Sequence, residues 1–243
     1  MKKSLLTLSA VALGSVFLFS CGDGGGDGND ITIDPYYDSA LQQNFTYITT
    51  APVQDLSAYE VESLIFMWNE EKMAKDLYYA LYEEYSNYPT ALTFKNIAER
   101  SETTHQKVIE LLLDKYQLSV DDQPYDPDRD LEDDYPPGEY SIDEVKQLYD
   151  NLLAQGQVNI IEALKVGCIV EVVDVEDLNE RLALVDNQDI ILAFEALRQG
   201  SYNHYWAFYY SLQQIGVEEG CCVLGDEYCK TKEEFPPSNR APY

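Results

Sequence analysis

The sequence predicts an all-α fold built on four long helices, and three observations predict it. Four long stretches repeat their apolar residues at intervals of three and four, the period of a helix with one buried face. Each stretch places one Glu or His in the middle of its apolar arc. The two histidines of the chain, His105 and His204, each follow an oxygen donor by three residues, as Glu102-x-x-His105 and Ser201-x-x-His204. That spacing puts both members of a pair on one side of a helix.

Residues 1–20 read as a leader. Lys2 and Lys3 precede an apolar run from Leu5 to Phe19, a basic start and a short apolar core of the secretory type. The run is short for a membrane span. Cys21 directly follows Ser20 and looks like the cysteine of a bacterial lipobox, which implies cleavage before Cys21 and lipidation of its thiol. The expected location is therefore the bacterial cell envelope, with the membrane as a partner through the lipid. Residues 21–50 are expected to be a flexible tether and irregular lead-in, because Gly22–Asp30 is Gly and Asp apart from Asn29 and cannot bury apolar surface.

The helical domain is expected over residues 51–216. Its first long helix should run from Asp55 to about Tyr85 and its second from Thr90 to about Leu118. Residues 119–140 form a Pro- and Asp-rich connection. A short helix then opens at Ser141, where Ser141-x-x-Glu144 fits a capping box, and ends near Gly156. The third long helix should span Asn159 to Leu184 and the fourth Asn187 to Ile215. Residues 217–243 are expected to be an irregular tail containing cysteines.

The faces of these helices carry the chemistry. At about 100° per residue, Phe94, Ala98, Ile109, Leu112 and Tyr116 fall within about 40° of His105, with Glu102 about 60° away. Leu64, Met67, Tyr78 and Tyr82 surround Glu71 in the same way. Lys75 shares that arc and Glu70 lies to the side. Ile160, Leu164, Gly167, Val175 and Leu178 surround Glu171, with Asp174 on the flank. Ala193, Leu197, Phe208 and Ser211 surround His204, and Ser201 occupies the place that Glu102 has beside His105. An unpaired buried carboxylate costs several kcal/mol even after relaxation, and several in one cavity repel one another unless protons or cations neutralise them. A pair of divalent cations between the four helices is the natural compensation.

Charge and cysteines bound the remainder. The net charge is −28, from 16 basic and 44 acidic residues, which excludes nucleic acid as a partner because phosphate contacts need clustered Lys and Arg. Cys221, Cys222 and Cys229 cluster near the end while Cys168 stands alone in an apolar run. An oxidising compartment permits a bridge from Cys229 to either Cys221 or Cys222.

Glu71-Lys-Met-Ala74-Lys-Asp-Leu-Tyr78 resembles the first helix of the rubrerythrin branch of the ferritin-like superfamily. Glu102-x-x-His105 is similar to that family's second-helix ligand pair, and Glu171-x-x-Asp174 to its third-helix acids, with Asp in the second place. A closer resemblance, over roughly Leu56 to Ile215, is to domain-of-unknown-function family 2202. It is carried by Glu70-Glu71-Lys72, Phe94-Lys-Asn-Ile-Ala98, Leu164-Lys-Val-Gly167 and Gly200-Ser-Tyr-Asn-His204. The resemblance implies a ferritin-like four-helix bundle whose crossover connection and short extra helix lie between bundle helices 2 and 3. It also implies two metal ions, iron by family and with donors that suit manganese or zinc equally. The implied ligands are Glu71, Glu102, His105, Glu171 and His204. Ser201 stands where such a site has Glu, leaving Asp174, Glu70 or water to complete the shell. The expected activity is peroxide or dioxygen reduction with an external electron donor. Metal binding without turnover and a metal-free interaction module are the alternatives. Bundles of this kind often pair, so a homodimer is an open expectation.

Overall fold

The computed structural model describes residues 31–34 and 38–238, and the leader, the proposed lipidation at Cys21 and the Gly/Asp tether lie outside the described residues. The described residues are all-α: they contain helices and no strand. The α-helices are α1 (Ser39–Thr50), α2 (Ala58–Tyr85), α3 (Leu92–Ile97), α4 (Thr103–Tyr116), α5 (Leu131–Asp134), α6 (Asp143–Gly156), α7 (Ile160–Leu182) and α8 (Gln188–Gln214). No helix among the described residues is long and apolar enough to cross a membrane.

Local chemistry explains where the long helices begin. Ser57 and Glu60 form a capping box at the start of α2: the Glu60 amide donates to Ser57 Oγ at 3.2 Å and the Ser57 amide donates to Glu60 Oε2 at 2.8 Å. The other oxygen of Glu60 accepts the amides of Asn187 at 3.0 Å and Asp186 at 3.2 Å. One carboxylate therefore serves the N-termini of both α2 and α8, where the helix dipole favours negative charge. Asn159 caps α7, its side chain accepting the amides of Ile161 and Glu162.

Four expectations are corrected. Ser141 does not cap α6, because it gives its amide and hydroxyl to Asn69 Oδ1 at 2.9 and 3.2 Å, and the helix begins after Ile142. The second long helix is not continuous. A π turn at Ala98–Glu102 separates α3 from α4, and Thr103 Oγ1 donates to the Ala98 carbonyl there at 2.8 Å. The lead-in is not irregular throughout. α1 turns Leu41 and Ile48, both fully buried, against α8 and its neighbours. Cys168 does not stand alone: it is bridged to Cys221, and Cys222 is bridged to Cys229. The first bridge pins the tail to α7 and the second closes a loop within it; the tail forms 3-10 turns at Gly220–Leu224 and Asp226–Tyr228 and buries Phe235 against Tyr202 and Tyr205.

The connection between α4 and α6 is fastened by polar groups on α2. Buried Asp76 accepts from Lys72 at 2.5 Å, from the Gly138 amide at 3.0 Å and from the Tyr140 hydroxyl at 3.2 Å. Asp121 and Asp134 clamp Arg129, and Tyr135 packs edge-on against Trp68 at 5.6 Å. α7 and α8 pack tightly enough that a Cβ on Gly167 would lie 2.5 Å from the Phe208 ring.

The apolar core is divided. One cluster contains Leu77, Tyr78, Phe94, Ala98, Val175 and Phe208. The other contains Leu64, Met67, Trp68, Val108, Leu178, Phe194 and Leu197. Between them α2 buries Asn69 to Lys72, the π turn and α4 bury Ser101, Glu102, His105 and Gln106, and α8 buries Ser201, Asn203 and His204. A polar layer thus crosses the interior, bounded above and below by side chains that each stabilise the fold by about 1.5–3 kcal/mol when fully buried.

Burial alone would raise the Glu60 carboxyl, but the donors from Ser57, Asn187 and Asp186 outweigh it and hold it below its ordinary value. A carboxyl depressed in the folded state contributes stability above its unfolded value of about 4.3 and loses it as pH falls through the folded value. Glu60→Gln should therefore cost about 1 kcal/mol at neutral pH. Chemical denaturation at pH 7 and pH 3 should show the gap between wild type and variant closing on acidification.

Candidate metal centre

The polar layer converges on two sets of donors. Glu71, Glu102 and His105 form one set, and Glu102, Glu171 and His204 the other. Within each set the ligand atoms lie within 4.8 Å of one another and every member is buried. Glu102 belongs to both, and the two imidazole rings are 5.8 Å apart. The π turn ends at Glu102 itself, an insertion of a type that often occurs at functional sites.

His105 is held from both sides. Its Nε2–H donates to Asp38 Oδ1 at 3.0 Å, and Ser101 Oγ donates to the same oxygen at 2.8 Å. On the other side, Nδ1 lies 3.1 Å from Glu71 Oε2 and 3.3 Å from Glu102 Oε2, donating to Glu71 when it carries a proton and offering its lone pair to a cation when it does not. A carboxylate on the far nitrogen fixes ring and tautomer in this way in many metal sites. Space for the arrangement comes from Gly200, where a Cβ would lie 2.5 Å from His105 Cε1, 2.7 Å from Nε2 and 3.4 Å from Asp38 Oδ1.

His204 is held differently. Its Nδ1 approaches Glu102 Oε1 at 2.9 Å and Glu171 Oε2 at 3.3 Å. Neither approach has hydrogen-bond geometry, and both ring nitrogens lack a hydrogen-bond partner among the described residues. Glu71 Oε1 is likewise unpartnered. Tyr78 gives its hydroxyl to Glu171 Oε1 at 2.5 Å, from a pocket between Phe94 and Phe208. Buried polar atoms left unpaired cost about 1–3 kcal/mol each, so their concentration here is a feature that the rest of the fold supports.

The titrations follow from burial and mutual charge. Burial raises the carboxyls of Glu71 and Glu171 despite the imidazoles beside them. Burial would raise Glu102 too, but His204 and His105 on either side hold it well below the usual carboxylate range. Burial would lower His204, yet Glu171 and Glu102 push it up to about 10. Asp38 and Glu71 likewise raise His105 against its burial. Protons thus balance the cluster where no cation does. Two divalent cations would carry four positive charges, equal to the charge of the carboxylates Glu71, Glu102, Glu171 and Asp38. The orphaned nitrogens of His204 and the mixed imidazole–carboxylate donors fit such a pair.

The structure brings together Glu71, Glu102, His105, Glu171 and His204. Asp174 and Ser201 lie next to this group but outside both donor sets, the Ser201 hydroxyl donating to Asp174 Oδ2. Tyr116 does not reach the centre and gives its hydroxyl to Asp189 at 2.8 Å. Lys75 leaves the inward arc for Glu132 at 3.5 Å. Asp38 was not anticipated, although Leu41, Phe45 and Ile48 after it carry helical spacing. Glu70, expected at the side of α2, is buried.

Gly200→Ala should drive the His105 ring off Asp38. Overpacking of this kind costs about 1–3 kcal/mol, measurable by denaturant unfolding. The Nε2 proton resonance of His105, protected in the wild type, should exchange rapidly in the variant.

The model of the uncharacterized protein domain DUF2202 matches residues 60–229. The chain is 38% identical over 170 residues to the uncharacterized protein MJ0754 of Methanocaldococcus jannaschii, covering 70% of this chain and 84% of that protein. The crystal structure of the hypothetical protein MJ0754 superposes with a TM-score of 0.63 at 33% identity, covering 77% of this chain and 95% of that one. By this match the chain belongs to the DUF2202 family.

Proposed function

We propose that the chain is a ferritin-like protein of the rubrerythrin type that binds two metal ions, iron in the first place, between α2, α4, α7 and α8. The observation that carries this reading is the pair of buried three-donor sets sharing Glu102. Glu71 and His105 would hold one ion, Glu171 and His204 the other, and Glu102 would serve both. A ferrous pair held there would supply the two electrons that, with two protons, reduce peroxide to two waters, and an external donor would restore them.

The chain's own residues define the rest of the chemistry. Asp38 orients His105. Tyr78 orients Glu171 and, with Phe94 and Phe208, excludes water from that side. Ser201 and Asp174 bond to each other where such a site would have a further acid, so each ion would have three protein donors. The two disulfides fit an oxidising compartment, in keeping with an envelope protein tethered through Cys21.

Metal analysis of the purified protein tests the reading. The wild type should carry up to two equivalents of transition metal, and Glu171→Ala should lose at least one while keeping its helical circular dichroism. A wild type free of metal after reconstitution with ferrous ion, or an unchanged content in the variant, defeats the assignment. Turnover is a separate question. Mixed with peroxide in a stopped-flow cell, the ferrous protein should oxidise well ahead of free ferrous ion, and equal rates would leave a metal-binding lipoprotein without catalysis.

A further inference from the structure

α2 carries two adjacent buried acids that face different ways. Glu71 points to the centre. Glu70, about 100° round the helix, lines a cleft between α2, α6 and α7 whose other walls include Met73, Leu148, Leu152, Ile169 and Val173. Glu70 is 5% exposed, and its Oε2 has no hydrogen-bond partner among the described residues. A carboxylate in such surroundings costs several kcal/mol, and apolar packing of α2 on α6 would be served better by a residue like its neighbours in the cleft.

Asp174 of α7 is the other acid of the cleft. It lies one turn after Glu171, and its Oδ2 accepts the hydroxyl of Ser201, one turn before His204. It therefore borders both the cleft and the His204 half of the centre. Asp177, a further turn along α7 and half-buried, interacts with Glu70 and continues the acidic line outward. Two other sides of the centre are blocked by packing. Tyr78, Phe94 and Phe208 stack with ring centroids 5.2–5.9 Å apart on one side, and Asp38, Ser101 and Gly200 close around His105 on another.

We propose that this cleft is the port by which divalent cations reach the centre, with Glu70 and Asp174 as the carboxylates that pass them inward. Neutral dioxygen or peroxide would gain nothing from acids lining that cleft, whereas a cation shedding its water would gain carboxylate oxygens, among them the unpartnered Oε2 of Glu70. The inference rests on the two-metal reading and adds a route to it.

The test follows uptake of aqueous cobalt(II) by the full chain, stripped of metal, through the visible absorption of the bound ion in a stopped-flow cell. Glu70→Gln removes the ionisable carboxyl and keeps the shape. It should slow uptake by roughly tenfold, within the range that a focused field contributes to cation capture, and reach the same final stoichiometry as wild type. Leu148→Trp, which fills the cleft from α6 and leaves both acids in place, should slow it likewise and carries the test if Glu70→Gln does not fold. Wild-type rates in the folded variants would overturn the port. A lowered final stoichiometry in Glu70→Gln would also overturn it, by making Glu70 a ligand. If the wild type takes up no cobalt at all, the two-metal reading itself fails.

Discussion

The fold depends on keeping a layer of acids and imidazoles inside an otherwise apolar interior. Glu71, Glu102, Glu171, Asp38, His105 and His204 are each at most 3% exposed. Such a layer is unfavourable by itself, since each charge loses its hydration and the acids repel one another. It persists because imidazoles alternate with carboxylates around Glu102, and because the apolar clusters on either side supply the surplus needed to hold it. The order of polar and apolar blocks along α2 and α8 reflects that constraint. Each helix passes from one cluster through the layer into the other.

The peripheral pieces brace the same layer from outside. Glu60 links the starts of α2 and α8, fixing the relative register of two of the helices that deliver donors. The polar ladder of Asn69, Lys72 and Asp76 holds the connection against the outer face of α2, on the same turns that present Glu70 and Glu71. The Cys168–Cys221 bridge joins the tail to α7 one turn before Glu171. These contacts restrict sliding and rotation of the helices, which a site built from four separate elements needs more than a site built on one.

Much of this was legible in the sequence. The long helices are read from periodicity because each buries one stripe, and the structure places α2, α7 and α8 within a few residues of the expected bounds. Glu71, His105, Glu171 and His204 stood out because each interrupts an apolar arc. Features set by distant partners were hidden. Ser141 has the local pattern of a cap, but Asn69, far along the chain, takes its hydrogen bonds. The π turn changes only the local pitch, and Ala98–Glu102 has no composition that marks it. Cys168 pairs across 53 residues, a contact that spacing does not reveal. α1 was masked by Gln42, Gln43 and Asn44, polar residues that surround a short apolar stripe.

That short helix alters what counts as the domain. The family match starts at residue 60, and a fragment cut there would retain all five side chains proposed to touch metal. It would also lack Asp38, and with it the oxygen that Ser101 and His105 share. Such a truncated chain would keep its ligands and lose the support of one of them. The boundary drawn by sequence similarity and the boundary required by the chemistry differ here by some twenty residues, and the second is the one on which expression of an intact centre should be planned.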